Sequence, residues 1–386
     1  MFKIERKILE FIEKYLYLIV LVVISAIGLF SRINLLDFVS SDAREFLLPW
    51  YESIKQEGMA TQTGDYNLLY QLIILVFTKL PIKPLYAYKW FSIIFDYLLA
   101  ALVYNVIGKL DIQKSRLWAT AGYCAVLMSP LVVMNSALWA QCDSIYVFFS
   151  ILALVYLCRE KYIPSMIFLG IAFAFKLQTI ILLPIFLIVY FLNRKFSILN
   201  FLIVPVTMVA VNIPALFLGR NILEIFSVYF RQTSTYQAMY LNYPSFWSLV
   251  EGTRSVEKYD LLKFLAIGVT MALIAFIVLY LWEKKIELDQ KSIIYLGFLI
   301  SFTCVLFLPA MHERYGYLYE ILSIVIALML PKTAWLSLGL IGISCITYCN
   351  FLFNNQGISL IILTVVNLAI YMMYVYTLRK ELASQN

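Results

Sequence analysis

Apolar residues run almost unbroken through most of this 386-residue chain, in blocks separated by short polar turns. The blocks lie, within a few residues, at 15–36, 85–107, 117–134, 144–157, 163–176, 179–192, 197–218, 260–282, 291–309, 315–330, 333–353 and 358–378. A helix that crosses a bilayer needs about 20 predominantly apolar residues, so the pattern predicts an all-α polytopic membrane protein with about 12 transmembrane helices. Long blocks rather than alternating ten-residue segments exclude an outer-membrane barrel. A thirteenth run, Leu68 to Leu80, ends in Lys79-Leu80-Pro81-Ile82-Lys83-Pro84 and is too short to span without tilt or thinning. Charge placement decides its fate. If it crossed, Lys109/Lys114/Arg116, Arg194/Lys195, Lys284/Lys285 and Arg379/Lys380 would all lie opposite the basic N-terminus of Lys3, Arg6 and Lys7. If it lies flat or only dips in, all of these clusters share the cytoplasm. The positive-inside rule selects the second arrangement. It predicts both termini inside and a short amphipathic or re-entrant helical segment in the first outer loop.

Composition sharpens this picture. The chain is 63% apolar and 14% charged, against about 45–50% and 25% in soluble domains, which excludes cytosolic, disordered and disulfide-scaffold classes. The net charge of +7 reports topology and points to no nucleic-acid partner. The six cysteines lack metal spacing and read as free core thiols. The first apolar run follows a basic start, as a signal peptide would, but reads as a retained first helix. No repeat or linker interrupts residues 1–386, so one membrane domain is expected, with two sizeable loops, 37–84 and 219–259, both outside. Function is sought there.

Several polar residues at outer boundaries call for a reason. In the first loop, Asp42 could begin a capping box with Glu45, yet it sits just after the first span, where a lipid head group is presented. In Asn135-Ser136-Ala137-Leu138-Trp139-Ala140-Gln141-Cys142-Asp143-Ser144, an interfacial anchor (Trp139) and a helix cap (Asp143) explain part of the string but not Asn135 or Gln141. Lys176, in Lys176-Leu177-Gln178, can snorkel or meet a phosphate. Asp96 falls inside the second span, where an aspartate costs about 3 kcal/mol unless paired or hydrated, so it is expected to face protein. Met311-His312-Glu313-Arg314-Tyr315 holds the single histidine and can bind a phosphate, orient it and move a proton. The second loop carries Arg220, Arg231, Arg254 and Lys258 among Tyr229, Tyr236, Tyr240, Tyr243, Phe246 and Trp247, which suits either sugar stacking and phosphate binding or an interface belt. No spacing fits a metal site, and no cofactor is expected.

Taken in order, Asp42, Trp139-x-Gln141-x-Asp143-Ser144, Lys176-x-Gln178 and Met311-His312-Glu313-Arg314-Tyr315 resemble the polytopic glycosyltransferases of the GT-C superfamily. The nearest likeness is to bacterial mannosyltransferase-like proteins related to the second mannosyltransferase of glycolipid-anchor synthesis, and more distantly to dolichyl-phosphate-glucose-dependent transferases. Gly64-Asp65-Tyr66-Asn67-Leu68-Leu69-Tyr70 is similar to that family's D-Y-P-P-L-Y stretch, with Asn67 and Leu68 in place of both prolines. Leu241-Asn242-x-x-Ser245-Phe246-Trp247-Ser248-Leu249 resembles another bacterial segment. Ala140 stands where the family usually has glycine.

The resemblance implies an inverting hexosyltransferase (mannose, glucose or galactose type) that takes its sugar from a polyprenyl-phosphate-linked donor. The acceptor would be a lipid-linked glycan or surface polysaccharide, on the extracytoplasmic face of a bacterial plasma membrane. It implies Asp42 as catalytic base and His312, Arg314 and Lys176 as donor-phosphate ligands. Asp143, Gln141, Trp139, Glu313, Asp65 and Gln178 would contact sugar or acceptor, or orient the cations. The main rival is a twelve-helix transporter or lipid-linked sugar flippase, a class whose polar groups gather near the bilayer midplane, often in repeated halves.

Overall fold

A computed structural model of the chain describes residues 3–59, 63–110, 112–250, 256–355 and 357–384. Sixteen α-helices lie among them: α1 (Lys3–Ile33), α2 (Leu48–Glu57), α3 (Leu68–Phe77), α4 (Pro84–Gly108), α5 (Ser115–Leu127), α6 (Pro130–Val133), α7 (Asp143–Cys158), α8 (Tyr162–Phe175), α9 (Leu183–Asn193), α10 (Ile203–Phe217), α11 (Glu224–Thr235), α12 (Val256–Glu283), α13 (Gln290–Phe307), α14 (Tyr317–Met329), α15 (Ala334–Leu352) and α16 (Leu360–Ala383). Two-residue strands β1 (Tyr240–Leu241) and β2 (Met311–His312) are the sheet structure among the described residues. Prolines at first turns start α2, α4, α6 and α9, where the missing N–H has no intrahelical partner to lose.

A helix stands at each of the twelve expected blocks. Seven have the length and apolarity of a membrane span, and an eighth is α5 with α6, bent by 42° where Ser129 precedes Pro130. The other four, at α7, α8, Leu177–Asn193 and α14, are apolar helices below 18 residues. Burial sorts the long ones. The most apolar window of α13 is 89% buried, those of α1 and α12 only 11% and 17%. The central helix is therefore wrapped by protein, while the outer ones turn Val22, Phe30, Phe264 and Phe276 outward to the lipid.

Two buried polar contacts fix the entry to the first loop. The Arg32 guanidinium, fully buried, donates Nε to Asp96 Oδ2 (2.9 Å), Nη1 to the Gly28 carbonyl (3.0 Å) and Nη2 to the Leu127 carbonyl (2.9 Å), so α1, α4 and α5 share one side chain. Ser136 donates to the same Asp96 oxygen. Asp96 thus faces protein, as its cost in lipid requires. Lys89, also fully buried, donates to the carbonyls of Leu35 (2.8 Å), Leu36 (3.1 Å) and Phe38 (2.7 Å), in the turn that follows α1. Lys89 lies in the second turn of α4, so segment 37–84 leaves and re-enters the bundle at the same end. The intervening α3 makes no net crossing.

Removing one partner of a buried ion pair costs about 3–5 kcal/mol. Arg32→Met should therefore lower the thermal unfolding midpoint in detergent markedly, and adding Asp96→Leu should recover most of the loss. An Arg32→Met protein as stable as wild type would contradict this reading of the pair.

Candidate active site

The segment after α1 is shaped by side chains rather than by regular structure. Ser40 Oγ accepts the Ala43 N–H (3.2 Å) and donates to the Trp139 carbonyl (3.0 Å), so Ser40 does the capping expected of Asp42, whose side chain makes no cap bond. The half-buried Asp42 is left to other work. Its Oδ2 accepts from Trp139 Nε1 (2.9 Å) and Gln141 Nε2 (3.0 Å). Two π-helical turns frame this contact, Ala43–Leu47 directly after Asp42 and Met134–Leu138 directly before Trp139; such widened turns recur at functional sites.

Trp139 is not an interfacial anchor. It is fully buried, stacked on Phe351 (centroids 4.7 Å) and edge-on to Tyr348 (5.1 Å), so it meets the site through its N–H and through the ring over which Arg314 sits. The turn behind it needs Ala140 at φ +66°, which explains why glycine suits that place. Asn135 closes the turn: its carbonyl accepts the Gln141 N–H (2.9 Å), and its side chain donates to Asp143 Oδ2 (2.8 Å).

Asp143 is fully buried at the first residue of α7 and gathers the cations. Lys176 Nζ lies 2.5 Å from Oδ1, and Arg314 Nη1 lies 3.8 Å from Oδ2. The Arg314 guanidinium also sits 5.9 Å from the Trp139 ring centroid, so Trp139 links the Asp42 carboxylate to the cation pair. Burial opposes the Arg314 charge, but Asp143 and neighbouring groups outweigh it and hold the guanidinium firmly protonated. Its Nε has no hydrogen-bond partner among the described residues, nor has Oε2 of the buried Glu313. Burial pushes the Glu313 carboxyl up to about 7, against the pull of Arg314. His312 moves the other way: burial, then Arg314 and Lys176, push its imidazole down to about 3. At physiological pH it offers a neutral N–H, and positive charge comes from Arg314 and Lys176. Half-buried Gln178 stands against the Tyr315 hydroxyl.

Both long loops close on this cluster. Tyr240 and Leu241 pair in parallel with Met311 and His312, and the Tyr236 ring packs edge-on to the His312 ring (4.8 Å). In the first loop, Gly64 adopts φ +65° with the Trp50 ring where a Cβ would stand. Asn67 replaces a family proline with a connector, donating to the Phe173 carbonyl (3.0 Å) and Tyr229 hydroxyl (3.1 Å). Gln232 of α11 donates to the Asp65 carbonyl and the Asn67 side chain. Asp65 itself is exposed, outside the buried group of Asp143, Lys176 and Glu313. Of the second-loop cations, Arg220 pairs with Glu224 (2.6 Å), Arg231 and Lys258 are exposed, and Arg254 lies outside the described residues. The roles of Asn67 and Tyr236 were hidden in the sequence, because their partners sit far away along the chain; Asn135 pairs within its own turn. A cavity of about 360 Å³ at the opposite end of α7, lined by Cys158, Arg159, Glu160 and Asp289 among others, holds none of these residues.

The profile of glycosyltransferase family 87 matches residues 66–309. The match takes in Gln141, Asp143 and Lys176 and leaves Asp42 and the 312–314 turn on either side of it. No curated protein matches the chain.

A left-handed backbone costs an L-residue about 1–2 kcal/mol, so Ala140→Gly should raise the thermal midpoint slightly and Ala140→Val should lower it. A fall with Ala140→Gly would show that the turn does not carry this strain.

Proposed function

The chain belongs to glycosyltransferase family 87, a GT-C-type family of membrane enzymes, and from that premise we propose an inverting hexosyltransferase that uses a polyprenyl-phosphate-linked sugar. The observation that carries this reading is the Asp42 carboxylate, held on one oxygen by Trp139 and Gln141 beside the Asp143–Lys176–Arg314 cluster. Asp42 accepts the proton of the acceptor hydroxyl as that oxygen forms its bond to the anomeric carbon. The bond from that carbon to the phosphate oxygen breaks on the opposite face, and the lipid phosphate departs with the electron pair. Arg314 and Lys176 receive the charge and the His312 N–H adds a hydrogen bond. Asp143 keeps the two cations in place, and Glu313, Gln178 and Asp65 are left to hold sugar hydroxyls. The acceptor is a lipid-linked glycan or surface polysaccharide, and residues 1–386 work as one membrane domain. The site faces outward from the bacterial plasma membrane with both termini in the cytoplasm, the orientation favoured by the basic turns.

Removing a general base costs about 10²–10⁴ in rate. Asp42→Asn should cut hexose transfer from a polyprenyl-phosphate hexose by at least about 100-fold while the protein still folds; near-normal turnover would remove Asp42 from the role. Arg314→Ala should raise the donor KM as well as lower the rate, and an unchanged donor KM would place the phosphate elsewhere.

The Glu313 carboxyl is neutral below about 7 and ionised above it, so rising pH adds a negative charge beside the donor phosphate. Donor KM should rise as pH passes through about 7 and should lose that inflection in Glu313→Gln. A wild-type profile that the substitution leaves untouched would contradict the placement.

A further inference from the structure

Tyr236 has no role in the transfer chemistry above, yet its setting is built. The residue is 44% exposed, and its hydroxyl lies in the fields of Arg314, Asp65, Asp42 and Glu313. Its backbone is extended and held on both sides. Four residues earlier, Gln232 is tied to the Asp65 carbonyl and to Asn67, which also holds Tyr229. Three residues later, Met239 accepts the Ala310 N–H (2.9 Å), and the β1–β2 pairing follows at once. The ring packs edge-on to His312 at 4.8 Å. An exposed aromatic residue on an anchored backbone, packed edge-on to His312 and within the field of the exposed Asp65 carboxylate, offers an apolar face and a hydrogen-bond acceptor in the same region.

A pyranose is the ligand that such a pair fits. Its C–H face lies against an aromatic ring, while its hydroxyls donate to carboxylates. We propose that Tyr236 is the platform for the terminal pyranose ring of the acceptor, with Asp65 at the edge of that ring, so that the acceptor is a glycoside and not a bare lipid alcohol. This rests on the transferase reading, and it adds a specificity-determining residue to it. Asp42 acts on the same Tyr236 hydroxyl, and the proposal directs a hydroxyl of the stacked ring toward that base. The contact with His312 ties the acceptor platform to the turn that receives the donor phosphate.

The test uses the full chain in nanodiscs with polyprenyl-phosphate mannose, glucose or galactose as donor. The acceptor probes are para-nitrophenyl pyranosides and, without a ring sugar, octanol. The expected result is transfer to at least one pyranoside with a kcat/KM at least about tenfold above that for octanol. Tyr236→Ala should raise the pyranoside KM about tenfold, the usual scale of one lost aromatic contact, and move kcat far less; Tyr236→Trp should restore the KM. If the donor is consumed but octanol serves as well as every pyranoside, or Tyr236→Ala keeps the wild-type pyranoside KM, the platform is wrong while the transferase reading stands. If the wild type consumes none of the three donors, the transferase reading with such donors fails, and the platform fails with it.

Discussion

Asp143 has no contact with solvent, and the geometry of the site depends on the charge it carries there. A buried carboxylate must be paired, and this one takes an ammonium from the break between α8 and α9, stands beside a guanidinium from the turn between α13 and α14, and accepts an amide from the π-helical turn before α7. Three segments distant in sequence are drawn to one carboxylate. Without it, Lys176 and Arg314 would repel each other in a weakly screened environment, where a unit-charge interaction at 4 Å is worth about 4 kcal/mol at an effective dielectric of 20. A pair of cations held close by one anion keeps donor capacity to spare, as the unpartnered Arg314 Nε indicates. That is the electrostatic property needed to receive a phosphate.

The bilayer sets the second constraint. Backbone and side-chain polar groups in hydrocarbon must find partners within the protein, and the chain meets this with fully buried cations at the first-loop entry. Arg32 serves Asp96 and two carbonyls, and Lys89 serves three carbonyls where α1 ends. These contacts fix where the first loop leaves the bundle, and so where Asp42 stands. Ser40 then relieves Asp42 of the capping task, and Trp139 and Gln141 orient its carboxylate. The path from membrane solvation to the candidate base runs through about ten residues of chain. The rival transporter reading called for polar groups at the midplane in repeated halves; here the polar cluster lies at one end of the bundle, and family membership makes the chain a glycosyltransferase.

The apolar blocks announced the helices, because a bilayer imposes a length and a polarity that no local preference overrides. The same rule does not give the number of crossings: α7, α8 and α14 fall below 18 residues, and block length alone does not tell a buried helix from a tilted one. The basic clusters anticipated the return of segment 37–84 to the end it left. What the sequence withheld were pairings across distance. Trp139 reads locally as an interfacial anchor and Asp143 as a helix cap; each is assigned differently only once Phe351, Lys176 and Arg314 are placed beside them. Asn67 looked like a lost proline and is a hydrogen-bond hub. Ala140 stands where the family usually has glycine, and it occupies a backbone conformation that favours glycine. Tyr236 carried no local signal beyond being aromatic, since its meaning comes from β1 meeting β2.

In the proposed mechanism, transfer is one displacement, with the base and the phosphate-binding cations on opposite sides of the anomeric carbon. The most direct test is the anomeric configuration of the product, read from the proton coupling at the transferred sugar after reaction with a polyprenyl-phosphate hexose of known configuration. A single displacement gives the configuration opposite to that of the donor. Retention would require a covalent glycosyl intermediate or a same-face attack, and would contradict the assignment of a single base facing a departing lipid phosphate.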